Sequence, residues 1–154
     1  MRRPDKEITD RQAVEDVIRR AEVCHLGLCA DGRPYVVPVT FGYEDGSIYV
    51  HSAPEGMKLD LIRADGRVCV QFESDVHVEV SDDACRSTAR YRSVIGLGRA
   101  EVVEDDEGKR RGLDAVMRHY GGEPGPYSPE AIKKVLVLRI ALESVTGKQS
   151  GYGD

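Results

Sequence analysis

Residues 23–52 read VCHLGLCADGRPYVVPVTFGYEDGSIYVHS, three apolar runs separated by two Asp-Gly pairs, and this stretch decides the fold. Asp31-Gly32 and Glu44-Asp45-Gly46 are hairpin turns, because short hairpin loops need residues that tolerate positive φ. The runs from Val23 to Cys29, Tyr35 to Tyr43 and Ser47 to Ser52 are therefore strands, and three strands within about thirty residues form an antiparallel meander rather than βαβ units.

Working outward, the segment from Asp10 to Ala21 carries Ala13, Val14, Val17, Ile18 and Ala21 at helical spacing, with Thr9 or Asp10 as its cap. Glu55 to Ala64 is a second helix, closed by Asp65-Gly66. Arg67 to Glu73 is a fourth strand, and Val76, Val78 and Val80 continue its alternation. A polar loop, Ser81 to Ser87, leads into a long strand from Ala89 to Val103, in which Gly96 and Gly98 signal a bulge or a close approach. Glu107 to Tyr120 is a helix stopped by Gly121-Gly122. Ser128-Pro129-Glu130 opens a short helix, and Val135 to Val145 is the last strand. Six mostly antiparallel strands with inserted helices close more readily into a small β-barrel than into a sandwich.

The chain has 154 residues, 40% hydrophobic and 32% charged, which suits one domain spanning 1–154. The charged opening, Met1-Arg2-Arg3-Pro4-Asp5-Lys6, lacks the apolar core of a signal peptide, and no apolar run is long enough to span a bilayer. A cytoplasmic protein without a membrane partner is expected. The net charge of −5 argues against a nucleic-acid partner. Cys24, Cys29, Cys69 and Cys85 have no zinc-type spacing and read as small buried hydrophobes of a reducing compartment.

No P-loop, nucleophile elbow, HExxH or GxGxxG sequence is present. The polar groups that stand out are His51, Ser52 and Lys58 in HSAPEGMK, where a strand end, a Gly-containing turn and a helix start bring amides, a hydroxyl and an ammonium together, as an anion such as phosphate requires. The other reading makes Ser52 a helix cap and Lys58 a solvated side chain. In Tyr91-Arg92-Ser93-Val94-Ile95-Gly96, Arg92 suits a phosphate or carboxylate and Ser93 a ring carbonyl, unless the strand is an edge blunted by its charge. Pro38, inside Tyr35-Val36-Val37-Pro38-Val39-Thr40, belongs at an edge or bulge, where it either frees neighbouring backbone groups for the polar rim of a flat heterocycle or simply marks an edge strand. His25 reads as a core residue, and His77 and His119 as solvent-facing. No two histidines have metal-ligand spacing, so no metal is expected.

The segments VCHLGL (23–28), DGRPYVVPVTFGYEDG (31–46), IYVHSAPEGMKLDLI (48–62), RVCVQFE (67–73), RYRSVIGLGRAEVVED (90–105) and VTGKQSG (145–151) together resemble the pyridoxamine 5′-phosphate oxidase-related, FMN-binding split-barrel family, in its nitroimidazole-resistance (Nim-type) branch. The resemblance implies a six-stranded antiparallel split β-barrel that forms a homodimer with flavin sites at the interface. It implies ring contacts from the backbone of Val37, Pro38, Val39 and Thr40, phosphate contacts from His51, Ser52 and Lys58, and a reach across the interface by Ser93 with Arg92. His51 matches the histidine associated with nitroimidazole handling, and an imidazole beside a flavin can donate a proton to a substrate gaining electrons. The implied activity is an FMN-dependent oxidoreductase that takes electrons from NAD(P)H and reduces small aromatic or nitro compounds. The alternatives are a non-enzymatic flavin carrier or sensor and a haem-binding protein with His25 or His51 as axial ligand. True pyridoxamine phosphate oxidases have Arg-Lys where this chain has Met57-Lys58, Gln where it has Ser93, and a C-terminal Arg and Trp. This sequence has no Trp, so oxidation of pyridoxamine phosphate is not expected.

Overall fold

The computed structural model describes residues 3–152. Met1 and Arg2, of the charged opening, and Gly153 and Asp154, at the predicted domain end, lie outside the described residues. In chain order the elements are β1 (Glu7–Ile8), α1 (Arg11–Arg20), β2 (Cys24–Ala30), β3 (Arg33–Val39), β4 (Gly42–Glu44), β5 (Ser47–Ser52), α2 (Met57–Ala64), β6 (Arg67–Glu79), β7 (Thr88–Val103), α3 (Asp106–His119), α4 (Pro129–Lys134) and β8 (Leu136–Ser150). Both Asp-Gly pairs turn as expected: Asp31 and Gly32 have φ of 50° and 74°, and Asp45 and Gly46 have 49° and 71°. Side-chain caps begin three helices, with Asp10, Asp105 and Ser128 accepting the amides of Gln12, Gly108 and Ala131.

The strands form one eight-stranded sheet in the order β3-β2-β6-β7-β8-β5-β4, with β1 added to β8. Every pairing is antiparallel. Among the described residues no ladder joins β3 to β4, so the path is open. The sequence pattern predicts six strands; β1 and β4 are the additional two. The strand predicted from Tyr35 to Tyr43 breaks into β3 and β4 because Phe41 turns fully into the core and its amide leaves the ladder to donate to the Tyr120 hydroxyl at 3.2 Å. β1 can lie on β8 because Gly147 has no side chain: a Cβ there would stand 2.9 Å from that of Ile8. β8 also runs on to Ser150, past the predicted end at Val145. Register shifts between Ser74 and His77 and between Leu97 and Gly98 mark the bulges.

One face of the sheet holds the main core. Val17 and Ile18 of α1 and Leu59 of α2 pack there with Leu26, Ile48, Val50, Val70, Phe72, Leu138 and Ile140, and the Phe41 and Phe72 rings lie 5.1 Å apart. α3 covers part of the opposite side, where Ala115 packs with Tyr49 and Val137. Gly112 permits this approach, since a Cβ there would lie 2.7 Å from Val137. The outward face of β2, β3, β6 and β7 stays uncovered. Among the described residues no helix is long and apolar enough to cross a membrane.

Candidate functional site

β5 delivers His51 opposite Val137 and Ser52 opposite Leu136. Strand alternation separates the two side chains: Ser52 is half-buried on the core side, with Ile48 and Val50, while His51 is exposed on the side of Tyr49. The chain then turns through Gly56, whose φ of 124° suits only glycine, into α2. No side chain caps this helix. The Leu59 and Asp60 amides donate to the Gly56 carbonyl at 2.9 and 3.2 Å, which leaves the first-turn amides of Met57 and Lys58 for an outside acceptor. Lys58 is half-buried and, among the described residues, has no ion-pair partner. Burial alone pushes its ammonium below the ordinary lysine value. A helix start with open amides beside a desolvated, unpaired cation can hold an anion.

The second part of the site is the uncovered sheet face. Register places Pro38, His25, Gln71, Ile95 and Thr146 in one row, and Glu73, Ser93 and Lys148 in another. β3 ends the sheet, so Pro38 sits at an edge and removes no interior hydrogen bond. Pro38 and Thr40 are exposed, while Val37 and Val39 lean on the core. Ser93 lines a cleft of about 310 Å³ with Gln71, Glu73, Val76 and Tyr91. It lies on β7, three strands from the β3 edge that carries Pro38 and two residues along β7 from Ile95 of the Pro38 row. A single chain therefore does not gather the ring-contact strand and Ser93 around one cavity.

Arg92 is engaged within the chain. Its guanidinium meets Asp75 at 2.7 Å and lies 4.2 Å from the Tyr152 ring centre. Asp75 also meets Arg20 at 3.2 Å, and the hydrogen bond from Arg92 is the main cause holding its carboxyl below the usual range.

His25 is not the core residue expected. In β2 the inward positions are Cys24, Leu26 and Leu28, so His25 faces outward, half-buried, and its Nδ1 is buried without a hydrogen-bond partner. The alternation that reveals this was present in the sequence. His119, expected in solvent, is half-buried, with Nε2 2.8 Å from the Ala21 carbonyl oxygen and its ring 4.1 Å from that of Phe41. Cys24 is buried, its thiol pushed up to about 12 by burial, whereas Cys29, Cys69 and Cys85 are exposed, against the expectation of buried cysteines.

Residues 10–149 match the sequence family described as pyridoxamine 5′-phosphate oxidase. Among solved structures, the chain is similar to a protein of Bacteroides thetaiotaomicron described as a candidate 5-nitroimidazole antibiotic resistance protein, with 36% identity over 93% of this chain and 86% of that one and a TM-score of 0.83. A FAD-binding protein of Mesorhizobium loti shares 26% identity over 92% of this chain and 96% of that one, with a TM-score of 0.67. A FAD and heme binding protein of Mycobacterium smegmatis shares the fold at 23% identity over 97% of this chain and 76% of that one, with a TM-score of 0.80. The match over most of the length, on a mainly antiparallel sheet with peripheral helices, makes this chain a member of the pyridoxamine 5′-phosphate oxidase family.

Proposed function

We propose that the chain is a cytoplasmic, FMN-dependent reductase of small aromatic or nitro compounds that draws electrons from NAD(P)H and works as a split-barrel homodimer. The observation that carries this reading is Lys58, half-buried and, among the described residues, without a counter-charge beside the uncapped start of α2. A dianionic flavin phosphate supplies the missing charge and accepts from the open amides and from Ser52. The edge backbone of Val37, Pro38, Val39 and Thr40 meets the polar rim of the ring. Ser93 completes the site from a second copy, which accounts for its distance from β3 within one chain. Arg92, held by Asp75, steadies the strand that presents Ser93. A bound flavin supplies hydride acceptance and electron delivery, while the protein orients the reactants. His51, exposed at the end of β5, donates the proton that a nitro group gaining electrons requires. Four free cysteines suit a reducing compartment. The nitroimidazole reading draws on the Bacteroides relative, and the flavin reading on the FAD-binding one.

The test is titration of the purified protein with FMN, FAD and haemin, followed by visible absorbance. FMN is expected to bind, and Lys58→Ala to weaken it by about 10–100-fold, the effect of losing a charged hydrogen bond. Bleaching of the bound flavin by NADH or NADPH without oxygen is expected, and His51→Ala should slow nitro-compound turnover more than the bleaching. A protein that ignores FMN overturns the proposal. A Soret band with haemin would favour the haem alternative, and a loaded flavin that does not bleach would favour a carrier.

A further inference from the structure

The sheet has a gap along the edge of β8 that faces away from β7. β5 pairs with this edge from Leu136 to Ala141, and β1 takes over at Gly147 and Lys148. Among the described residues, Leu142 to Thr146 have no strand beside them there, and the one backbone bond to that side runs from the Leu142 amide to the Gly46 carbonyl at 3.2 Å. At the rise of an extended strand the gap is about 17 Å long. It opens toward the core. Val145 pairs with Gly96, and a Cβ on Gly96 would stand 2.9 Å from Val70, which is fully buried, so this pair faces inward. Val145 is nevertheless 41% exposed. It lines a hollow of about 490 Å³ whose apolar floor is made by Val14 and Ile18 of α1 and Leu142 of β8.

The charged groups of the hollow are mostly carboxylates. Glu7 and Glu143 line it from exposed positions, and Glu15, its side chain 21% exposed, lies beside Tyr43. Burial first, and then the Glu15 charge, hold the Tyr43 phenol above its ordinary value, so its hydroxyl remains a donor. Among the described residues the one cation lining the hollow is Arg11. Its side chain, 88% exposed, meets one Glu15 oxygen at 3.3 Å, and Arg19 meets the other at 3.5 Å. Exposed ion pairs of this length hold weakly, so a better-placed cation can take the place of Arg11.

We propose that this hollow binds a small organic cation with an apolar body, of the arylalkylamine class. The body lies on Val14, Ile18, Leu142 and Val145, in a space within the usual range of small-molecule pockets. The ammonium donates to Glu15 and to carbonyl oxygens of the unpaired β8 edge, which otherwise depend on water. Three carboxylates against one guanidinium favour a cation over an anion of the same shape. The hollow shares no residue with the flavin contacts proposed above, so the two readings stand or fall separately.

Nuclear magnetic resonance titration of the amide-labelled full chain tests the site, with phenethylamine as probe and phenylacetate as the similar body of opposite charge. The amine is expected to bind saturably, at the millimolar or tighter level open to a molecule of its size, and to shift the amides of Ile8, Tyr43 and Leu142 to Gly147. Phenylacetate should bind at least about ten-fold more weakly. Val145→Phe, which fills the hollow from a partly exposed position, should abolish the shifts while circular dichroism stays unchanged. Glu15→Gln should weaken amine binding by about ten-fold, and serves alone if the phenylalanine variant fails to fold. Shifts scattered over the acidic surface without saturation, equal binding of the two probes, or binding untouched by these substitutions would overturn the proposal.

Discussion

Lys58 and His119 are both basic side chains that burial holds below their ordinary pKa, and their surroundings give them different work. Lys58 has open helix amides beside it and, among the described residues, no ion-pair partner, so its lost hydration is recoverable by an anion. His119 is already paired: its Nε2–H donates to the Ala21 carbonyl while its ring packs on Phe41. For His119, burial is the first cause of the lowered pKa and the Arg19 charge adds to it, while the Ala21 hydrogen bond opposes them. With the folded pKa below the unfolded 6.5, the unfolded chain binds the proton more readily, so stability is full above 6.5 and is lost as the pH falls toward the folded value. Thermal melts should therefore show Tm falling as the pH is taken from about 7 to about 5, and His119→Gln, which retains a donor for Ala21, should flatten that slope. A slope unchanged in the variant would assign it to other groups.

At the scale of elements, α3 is the clamp that sets where the sheet ends. Its last turn and C-cap carry His119 and Tyr120 to the start of β2, and the Tyr120 hydroxyl donates to the Glu22 carbonyl at 2.7 Å while accepting the Phe41 amide. Its middle lies so close to β4 that a side chain at Gly42 would overlap the backbone of Ala115 and Val116. Gly42→Ala should thus push α3 off the sheet and cost roughly 1–3 kcal/mol, read as a lower midpoint in urea at unchanged m-value. A fall in m as well would mean that α3 detaches in the native state. The break between β3 and β4 belongs to the same contact. Nothing local to Thr40 and Phe41 announces it, because Phe41 leaves the ladder for a hydroxyl far along the chain at Tyr120. The Asp-Gly hairpins and capped helices were legible, since each depends on residues adjacent in sequence.

For the whole molecule, the long strands and the order of the helices could be read from alternation and periodicity, whereas the open sheet path could not. β1 docks only because Gly147 leaves room between Ile8 and Val14. The candidate site was legible as a set of residues but not as a place. His51 and Ser52 are neighbours in sequence and diverge across β5, Arg92 is taken up by Asp75, and Ser93 lies across the sheet from Pro38. His25 reads as a core residue because its neighbours are apolar, whereas the alternation of β2 turns it outward.

The open path also leaves β3 with a free edge, which is a hazard, since unpaired amides and carbonyls of an edge strand can recruit strands from other molecules. Pro34, opposite Cys29, and Pro38, opposite His25, stand at the same phase of the ladder. Neither offers an N–H, so an incoming strand would meet two missing donors on one edge. A protein with Pro34→Val and Pro38→Val together should therefore scatter light progressively on mild warming and seed fibrillar growth that the parent chain resists. Equal scattering from both proteins would show that the edge is guarded by other means. In that sense the proline that suggests a surface for a flat ring also protects the molecule from endless addition of its own kind.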